Sequence, residues 1–263
     1  MTTHFEEPTS GAHAPEDLLV LIPAYNEELC IGDVLRELWA VLPGCAALVV
    51  DDCSQDGTVA QATQAGAKVL RLPHHLGLGG AVQAGYKLAF ELGYRYVIRI
   101  DGDGQHDPRD IRRIYDELRN SGVEMVIGSR FLSDGGYRTT FLRGLVIRFF
   151  RLILRPILGQ PVHDPTSGFV GVNRAALGVF SRVFPLEYPE IEALVVLQRR
   201  AFRFREIPCR MRPRLRGTST ITLMKSVYFL VHVLLGVFVN ILKYDGRRNL
   251  RPTPPPNEST DQP

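Results

Sequence analysis

Short apolar runs that end in a proline or acidic residues, separated by stretches of helical spacing, constrain this chain more than any other feature. Leu18–Ile22 is ended by Pro23, and Ala46–Val50 by Asp51-Asp52. Each run is long enough for a strand buried on both faces of a parallel sheet. Between them, Ile31, Val34, Leu35, Leu38 and Leu42 recur at helical spacing within Glu28–Leu42, and Gly44 stands just past the end as a stop. The spacing predicts a β-α-β unit, which then repeats: helix Thr58–Ala65, strand Lys68–Leu72, helix Ala81–Leu92, strand Tyr96–Ile100, helix Ile111–Asn120 and strand Glu124–Ile127. Alternation of this kind predicts an α/β fold with a mostly parallel central sheet, right-handed crossovers and flanking helices.

With 263 residues, 45% of them hydrophobic, the chain can bury one sizeable core. Cys30, Cys45, Cys53 and Cys209 are scattered, with neither the spacing of a zinc site nor the density of a disulfide scaffold, so a reducing cytoplasm is expected. Met1–Asp17 is polar and lacks the basic-then-apolar layout of a secretory signal; residues 1–16 are expected to form a disordered arm. The net charge of +3 is modest but unevenly spread. Arg199, Arg200, Arg203, Arg205, Arg210, Arg212, Arg214 and Arg216 crowd one stretch, which asks for an anionic partner, whether phosphate, lipid headgroup or nucleic acid, or else forms a solvated face.

Phe141–Leu158 is apolar with Arg148, Arg151 and Arg155 on one helical face. Such a helix suits a membrane interface, and equally a core-packing helix with a charged outer stripe. Ser226–Leu242 is the most hydrophobic stretch, yet it contains His232, Gly236 and Asn240 and is shorter than the roughly 20 residues of a span. An interfacial helix or a docking surface for a small membrane subunit is expected at 221–245, followed by a disordered Pro-rich tail at 246–263.

Ligands of parallel sheets bind at the carboxyl ends of the strands, where helix N-termini also point. Glu27-Glu28, Asp51-Asp52 and Asp101-Gly102-Asp103 all fall at such ends. Carboxylates crowded into one crevice repel one another unless a cation or hydroxyl donors are bound. Asp101, Asp103 and Gln105 supply hard oxygen donors within one tight turn, which suits Mg²⁺ or Mn²⁺ on a phosphate. A calcium loop does not fit, since Asp107-Pro108 falls where its glycine turn is needed and Arg112 replaces the terminal glutamate. Gly77-Leu78-Gly79-Gly80 is a weak dinucleotide signal, with Val82 at the third glycine position.

Ile22-Pro23-Ala24-Tyr25-Asn26-Glu27, Val50-Asp51-Asp52-Cys53-Ser54-Gln55-Asp56-Gly57-Thr58 and the Asp101-x-Asp103 turn together resemble family 2 glycosyltransferases of the GT-A fold. Gly128-Ser129-Arg130, Arg143, Asp164-Pro165-Thr166-Ser167-Gly168-Phe169 and Arg214-x-x-Gly217-x-Ser219 extend the resemblance to the dolichol-phosphate mannose synthase branch and its bacterial polyprenyl-phosphate relatives. The resemblance implies a catalytic domain at 17–220, with a nucleotide-binding half (17–130) and an acceptor half (131–220). It implies an inverting hexosyltransferase that moves a sugar from a nucleotide sugar to a polyprenyl phosphate for cell-envelope glycans, peripheral on the inner face of the cell membrane. Pro23, Tyr25, Glu27, Asp52, Gly79 and Asp101 would hold the nucleotide sugar, and Asp101, Asp103 and Gln105 the Mg²⁺ or Mn²⁺. Ser129, Arg130, Arg143, Arg214 and Ser219 would hold the acceptor phosphate, with Asp103, Arg130 and Arg143 the residues on which catalysis depends. Thr220 stands where the family often has lysine.

A family 2 enzyme with a sugar-hydroxyl acceptor would need a carboxylate base, and Glu190 and Glu192 follow the Gly168-Phe169 turn where such a base belongs. They also suit the first turn of a helix opened by Pro189. A non-catalytic nucleotide- or RNA-binding protein is disfavoured by the acidic crevice, which would repel nucleic acid. A nicotinamide-dependent dehydrogenase has only the glycine signal in its favour.

Overall fold

The computed structural model describes residues 14–132 and 141–212. A seven-stranded sheet runs in the order β3-β2-β1-β4-β6-β5-β7, built from β1 (Leu18–Ala24), β2 (Ala46–Asp51), β3 (Lys68–Arg71), β4 (Tyr96–Arg99), β5 (Met125–Ser129), β6 (Val170–Asn173) and β7 (Phe204–Pro208). All pairs are parallel except those that β6 makes with β4 and β5. The helices are α1 (Ile31–Val41), α2 (Thr58–Gln64), α3 (Gly77–Glu91), α4 (Arg109–Asn120), α5 (Phe141–Leu158), α6 (Arg174–Phe180) and α7 (Pro189–Arg199). This is the α/β sandwich expected from the alternation, with the GT-A arrangement of a mostly parallel sheet.

β1 is buried throughout, and its alternate residues feed two cores. Leu19 and Leu21 pack with Val82 and Tyr86 of α3, Phe150 and Leu154 of α5, Phe180 of α6 and Leu194 of α7. Leu18, Val20 and Ile22 pack with Leu35 and Leu38 of α1 and Ile111 and Ile114 of α4. Period-two burial on both faces explains why the run is continuously apolar. The strand continues through Pro23, which was expected to end it. Pairing with β4 stops at Leu21↔Arg99, so beyond that point β1 is flanked by β2 alone and a missing N–H is tolerated.

α3 begins at Gly77, earlier than the predicted Ala81, so the glycines lie within the helix rather than before it. A β-carbon on Gly79 would stand 2.4 Å from the backbone oxygens of Pro185 and Leu186. The close approach that Gly79 permits on that side is to protein backbone.

β6 and β7 were not predicted. β6 is only four residues long, and β7 lies inside the arginine-rich stretch, where alternation is obscured. Three of the described arginines of that stretch serve the fold. Arg205 pairs with Glu117, Arg212 with Glu37 and Asp107, and Arg203 donates to the Gly122 carbonyl. α5 buries Phe150, Leu154 and Leu158 in the core while Arg148, Phe149, Leu152 and Arg155 face outward. No helix among the described residues is long and apolar enough to cross a membrane. The disordered arm expected at 1–16, as far as residue 13, and everything expected from 213 onward, including the helix at 221–245 and the Pro-rich tail, lie outside the described residues.

Candidate active site at the carboxyl edge of the sheet

The carboxyl ends of β1, β2 and β4 open on one edge of the sheet. Because β6 runs antiparallel, its start also lies there, and the segment Asp164–Phe169 that precedes it is brought against the end of β4. Sequence-distant motifs thus meet through the direction of one strand.

The loops after β1 and β2 are knitted together by side-chain hydrogen bonds. Asn26 N–H donates to Ser54 Oγ at 2.9 Å, Glu27 N–H to Thr58 Oγ1 at 2.8 Å, and Gln55 N–H to Asn26 Oδ1 at 2.9 Å. Glu28 accepts from Gly57 N–H at 2.8 Å, and buried Asp51 accepts from Ser54 N–H at 3.3 Å. Asn26 and Cys53 take left-handed conformations at φ 54° and 65° to make these turns. Glu28 and Asp51 are therefore scaffold carboxylates, so only part of the predicted acidic convergence faces the crevice.

Asp52 holds the loop before α3. Its Oδ1 accepts from Leu76 N–H at 2.7 Å, and its Oδ2 lies 2.9 Å from His75 Nδ1. The His75 ring in turn lies against Tyr25, with centroids 4.2 Å apart, and Tyr25 is 44% exposed. A carboxylate beside two aromatic rings at the mouth of a crevice can recognise a flat heterocycle by stacking and hydrogen bonding. His75 was missed from sequence because it stands in a Pro-His-His loop with no periodic signal.

The Asp101–Gln105 turn follows β4. Asp103 Oδ1 accepts from Gln105 N–H at 3.0 Å, while Gln105 Nε2 donates to the Arg212 carbonyl at 3.3 Å. A β-carbon on Gly102 would meet Pro23 O at 3.5 Å and Glu27 Cγ at 3.6 Å, so the turn abuts the end of β1 and Glu27. Asp101 N–H donates to His106 Nδ1 at 3.0 Å. Burial pushes His106 below its ordinary pKa, outweighing Asp101 and Asp103, and the ring is neutral with its proton on Nε2. That Nε2 lies 3.7 Å from Asp101 Oδ2 and is, among the described residues, a buried polar atom without a hydrogen-bond partner.

These residues fit a hard divalent cation. Mg²⁺ and Mn²⁺ are commonly held by one or two carboxylates, with phosphate and water completing the shell. Asp101 and Asp103 supply that pair, and the orphaned His106 Nε2 lies 3.7 Å from Asp101 Oδ2. No group of three or more His, Cys, Asp or Glu among the described residues could cage a metal, so the closed ligand set of structural zinc does not fit.

Beneath the turn lies Arg99, a charge inside strand β4 and only 2% exposed. Its Nε donates to the Gly168 carbonyl at 2.7 Å and its Nη2 to Glu190 Oε1 at 2.7 Å. Burial alone would push its guanidinium down, but Glu190 and then Asp101 outweigh this and hold it above its ordinary value. A lone arginine in the run Tyr96-Val97-Ile98-Arg99-Ile100 is a sequence signal that was overlooked, since buried charges are rare without partners. Glu190 lies in the first turn of α7, as expected, and is paired with Arg99; Glu192 is buried in the same turn.

Arg130 meets Asp164 in a fork. Nε and Nη2 donate to Oδ2 and Oδ1, each at 2.6 Å, and Nη2 also donates to Thr166 Oγ1 at 2.7 Å. Asp164 N–H and His163 N–H are both held at 2.7 Å by Glu206 of β7. Arg130 is thus a strut between β5 and the Asp164–Phe169 segment, in contrast to the open phosphate ligand expected. Ser129 is fully buried, with its Oγ accepting from Phe131 N–H at 3.4 Å. The side chain of Arg143, and Arg214 and Ser219 altogether, lie outside what is described.

Fold and crevice together define an α/β enzyme of the GT-A type, with its chemistry at the carboxyl edge of the sheet. The model of glycosyl transferase family 2 matches residues 19–180, and the chain belongs to that family. It is similar to the polyprenol monophosphomannose synthase of Mycolicibacterium smegmatis, 32% identical over 60% of this chain and 62% of that protein, less than two thirds of its length. It is also similar to the UDP-N-acetylglucosamine–dolichyl-phosphate N-acetylglucosaminyltransferase of Methanococcus voltae, 28% identical over 83% of this chain and 96% of that protein. Among solved structures, glucosyl-3-phosphoglycerate synthase of Mycobacterium tuberculosis with phosphoglyceric acid aligns with a TM-score of 0.67 at 25% identity, covering 85% of this chain and 79% of that one. The same enzyme with Mg²⁺ and UDP aligns at a TM-score of 0.63, 25% identical, over 87% and 79%.

Proposed function

We propose that this glycosyltransferase moves a hexose, with inversion, from a nucleotide sugar to a polyprenyl phosphate. The observation that carries the reading is the Asp101–Asp103 turn facing the crevice beside the Tyr25–His75–Asp52 cluster, in a chain whose relatives act on lipid phosphates. Tyr25 and Asp52 take the base, with Pro23 and Glu27 lining the ribose. Asp101, Asp103 and Gln105 hold Mg²⁺ or Mn²⁺, the ions found with UDP in the structural neighbours. When bound, such an ion supplies charge neutralisation to the departing diphosphate.

The chain's own residues do the rest by positioning. A phosphate monoester is anionic near neutral pH, so it needs cations to orient it more than a base to deprotonate it. Arg143, Arg214 and Ser219 are assigned to that phosphate. Arg130 acts one step back, holding Asp164 and Thr166 where the acceptor enters. The sugar-hydroxyl alternative needs a carboxylate base, and it is disfavoured because the Glu190 carboxylate is already held by Arg99.

The exposed strip of α5, Arg148, Phe149, Leu152 and Arg155, is assigned to the headgroup region of an anionic membrane, on the inner face where nucleotide sugars are available. A small membrane subunit remains a candidate partner for 221–245. The test is incubation with a panel of labelled nucleotide sugars, Mn²⁺ and either polyprenyl phosphate or free sugars. Label in the lipid supports the reading; label only in sugar products overturns it.

A further inference from the structure

We infer that Arg99 is the positioning residue of the metal turn and that Glu190 is its counter-ion. The inference rests on the reading that Asp101 and Asp103 hold a divalent cation. Arg99 is rooted in β4, two residues before Asp101, and reaches across to two other elements: the Gly168 carbonyl and Glu190 at the start of α7. A point one bond from Gly168 Cα lies 2.8 Å from Asp101 Oδ2, 2.9 Å from Oδ1 and 3.0 Å from Arg99 Nη2. The carboxylate and the guanidinium therefore crowd the same side of this glycine, and Arg99, bonded to the Gly168 carbonyl, fixes how far the Asp164–Phe169 segment stands from the turn. The fork is needed for this, because one nitrogen serves Gly168 and another serves Glu190.

The sign of the electrostatics makes the idea testable. Removing a buried positive charge near a cation site should, by Coulomb's law alone, tighten the cation. Loss of affinity on removing Arg99 therefore reports lost geometry. Mn²⁺ binding is measured calorimetrically with UDP or GDP, and without a sugar donor, for Arg99→Gln, Arg99→Lys, Glu190→Gln and the double variant Arg99→Gln with Glu190→Gln. Arg99→Gln and the charge-balanced double variant are expected to lose about tenfold or more in Mn²⁺ affinity, the scale of groups that orient metal ligands. Arg99→Lys is expected to recover only part, and Glu190→Gln, which keeps an acceptor for Nη2, to stay within about threefold.

Mn²⁺ bound by Arg99→Gln as tightly as by the parent, or more tightly, overturns the inference. If Arg99→Gln leaves Glu190 unpaired and fails to fold, the double variant, which buries neither charge, decides by the same criterion. Should both fail to fold, Arg99→Lys with parental affinity overturns it, and reduced affinity at a parental thermal midpoint supports it. Glu190→Gln with parental Mn²⁺ affinity but transfer reduced by about 10²- to 10⁴-fold would make Glu190 a base and also overturn it. Failure of the metal reading is separate: Asp103→Ala would then bind Mn²⁺ like the parent, and this inference would fall with it.

Discussion

Gly168 leaves room for the Asp101 carboxylate: a β-carbon on the glycine would stand within 2.9 Å of both carboxylate oxygens. Gly168 is not among the glycines with positive φ, so the position demands space rather than a special backbone conformation. Gly168→Ala must displace either the metal turn or the segment before β6. Transfer is expected to fall by about 100-fold, the cost of misplacing a site by an ångström, with the thermal midpoint lowered as for an overpacked contact. Steady-state rates and a melting curve check this, and parental rates would show the turn to be tolerant.

Asp103→Ala is expected to abolish turnover at ordinary Mn²⁺ or Mg²⁺ concentrations while the protein melts near the parental temperature. The residue lies in a solvent-reaching turn and packs in neither core. A rate titration against metal should show whether high concentrations restore part of the loss. Full activity at low metal would remove Asp103 from the ligand set.

Arg130→Ala should behave unlike the loss of a surface phosphate ligand. It leaves Asp164, itself fully buried, without its fork partner. Urea unfolding is expected to show a loss of about 3–5 kcal/mol, as when one partner of a buried ion pair is removed. Arg143→Ala is expected to cut transfer with no such loss of stability. If Arg130→Ala unfolds like the parent, its role as a strut is wrong.

Asp52→Ala and Tyr25→Ala are expected to weaken donor binding most. Asp52 accepts from Leu76 N–H and faces His75, so its removal both deletes a recognition carboxylate and loosens the loop before α3. A loss of about 10- to 100-fold in nucleotide affinity corresponds to hydrogen bonds made by a charged group. Calorimetry with UDP and GDP reads this directly, and unchanged affinity for both would move the base elsewhere.

Leu152→Glu should weaken binding to vesicles of anionic lipid, because Leu152 is 73% exposed between the outward arginines of α5. High salt should release the parent protein, since ions screen the arginine attraction. Sedimentation with vesicles at low and high salt measures both, and binding indifferent to Leu152→Glu would exclude this face.

The first half of the fold was legible because its strands are continuous apolar runs and its helices carry one apolar stripe, as in Ile31, Val34, Leu35 and Leu38 of α1. The turn proposed to hold the metal could be picked out because its candidate donors lie within five consecutive residues, Asp101 to Gln105. In the second half the helix at Phe141–Leu158 and the helix opened by Pro189 were legible, but β6 and β7 were not, since β6 is four residues long and β7 lies among arginines whose partners, Glu117 and Glu37, lie far away in sequence. Local pattern therefore determined the parallel sheet, the crevice edge and the carboxylate pair. Only tertiary structure decided that Arg130 is a strut, that Gly79 meets backbone and that Arg99 reaches Glu190. Periodicity records which face of an element is buried, whereas a buried charge is explained by its partner, and that partner is brought to it by the direction in which a distant strand runs.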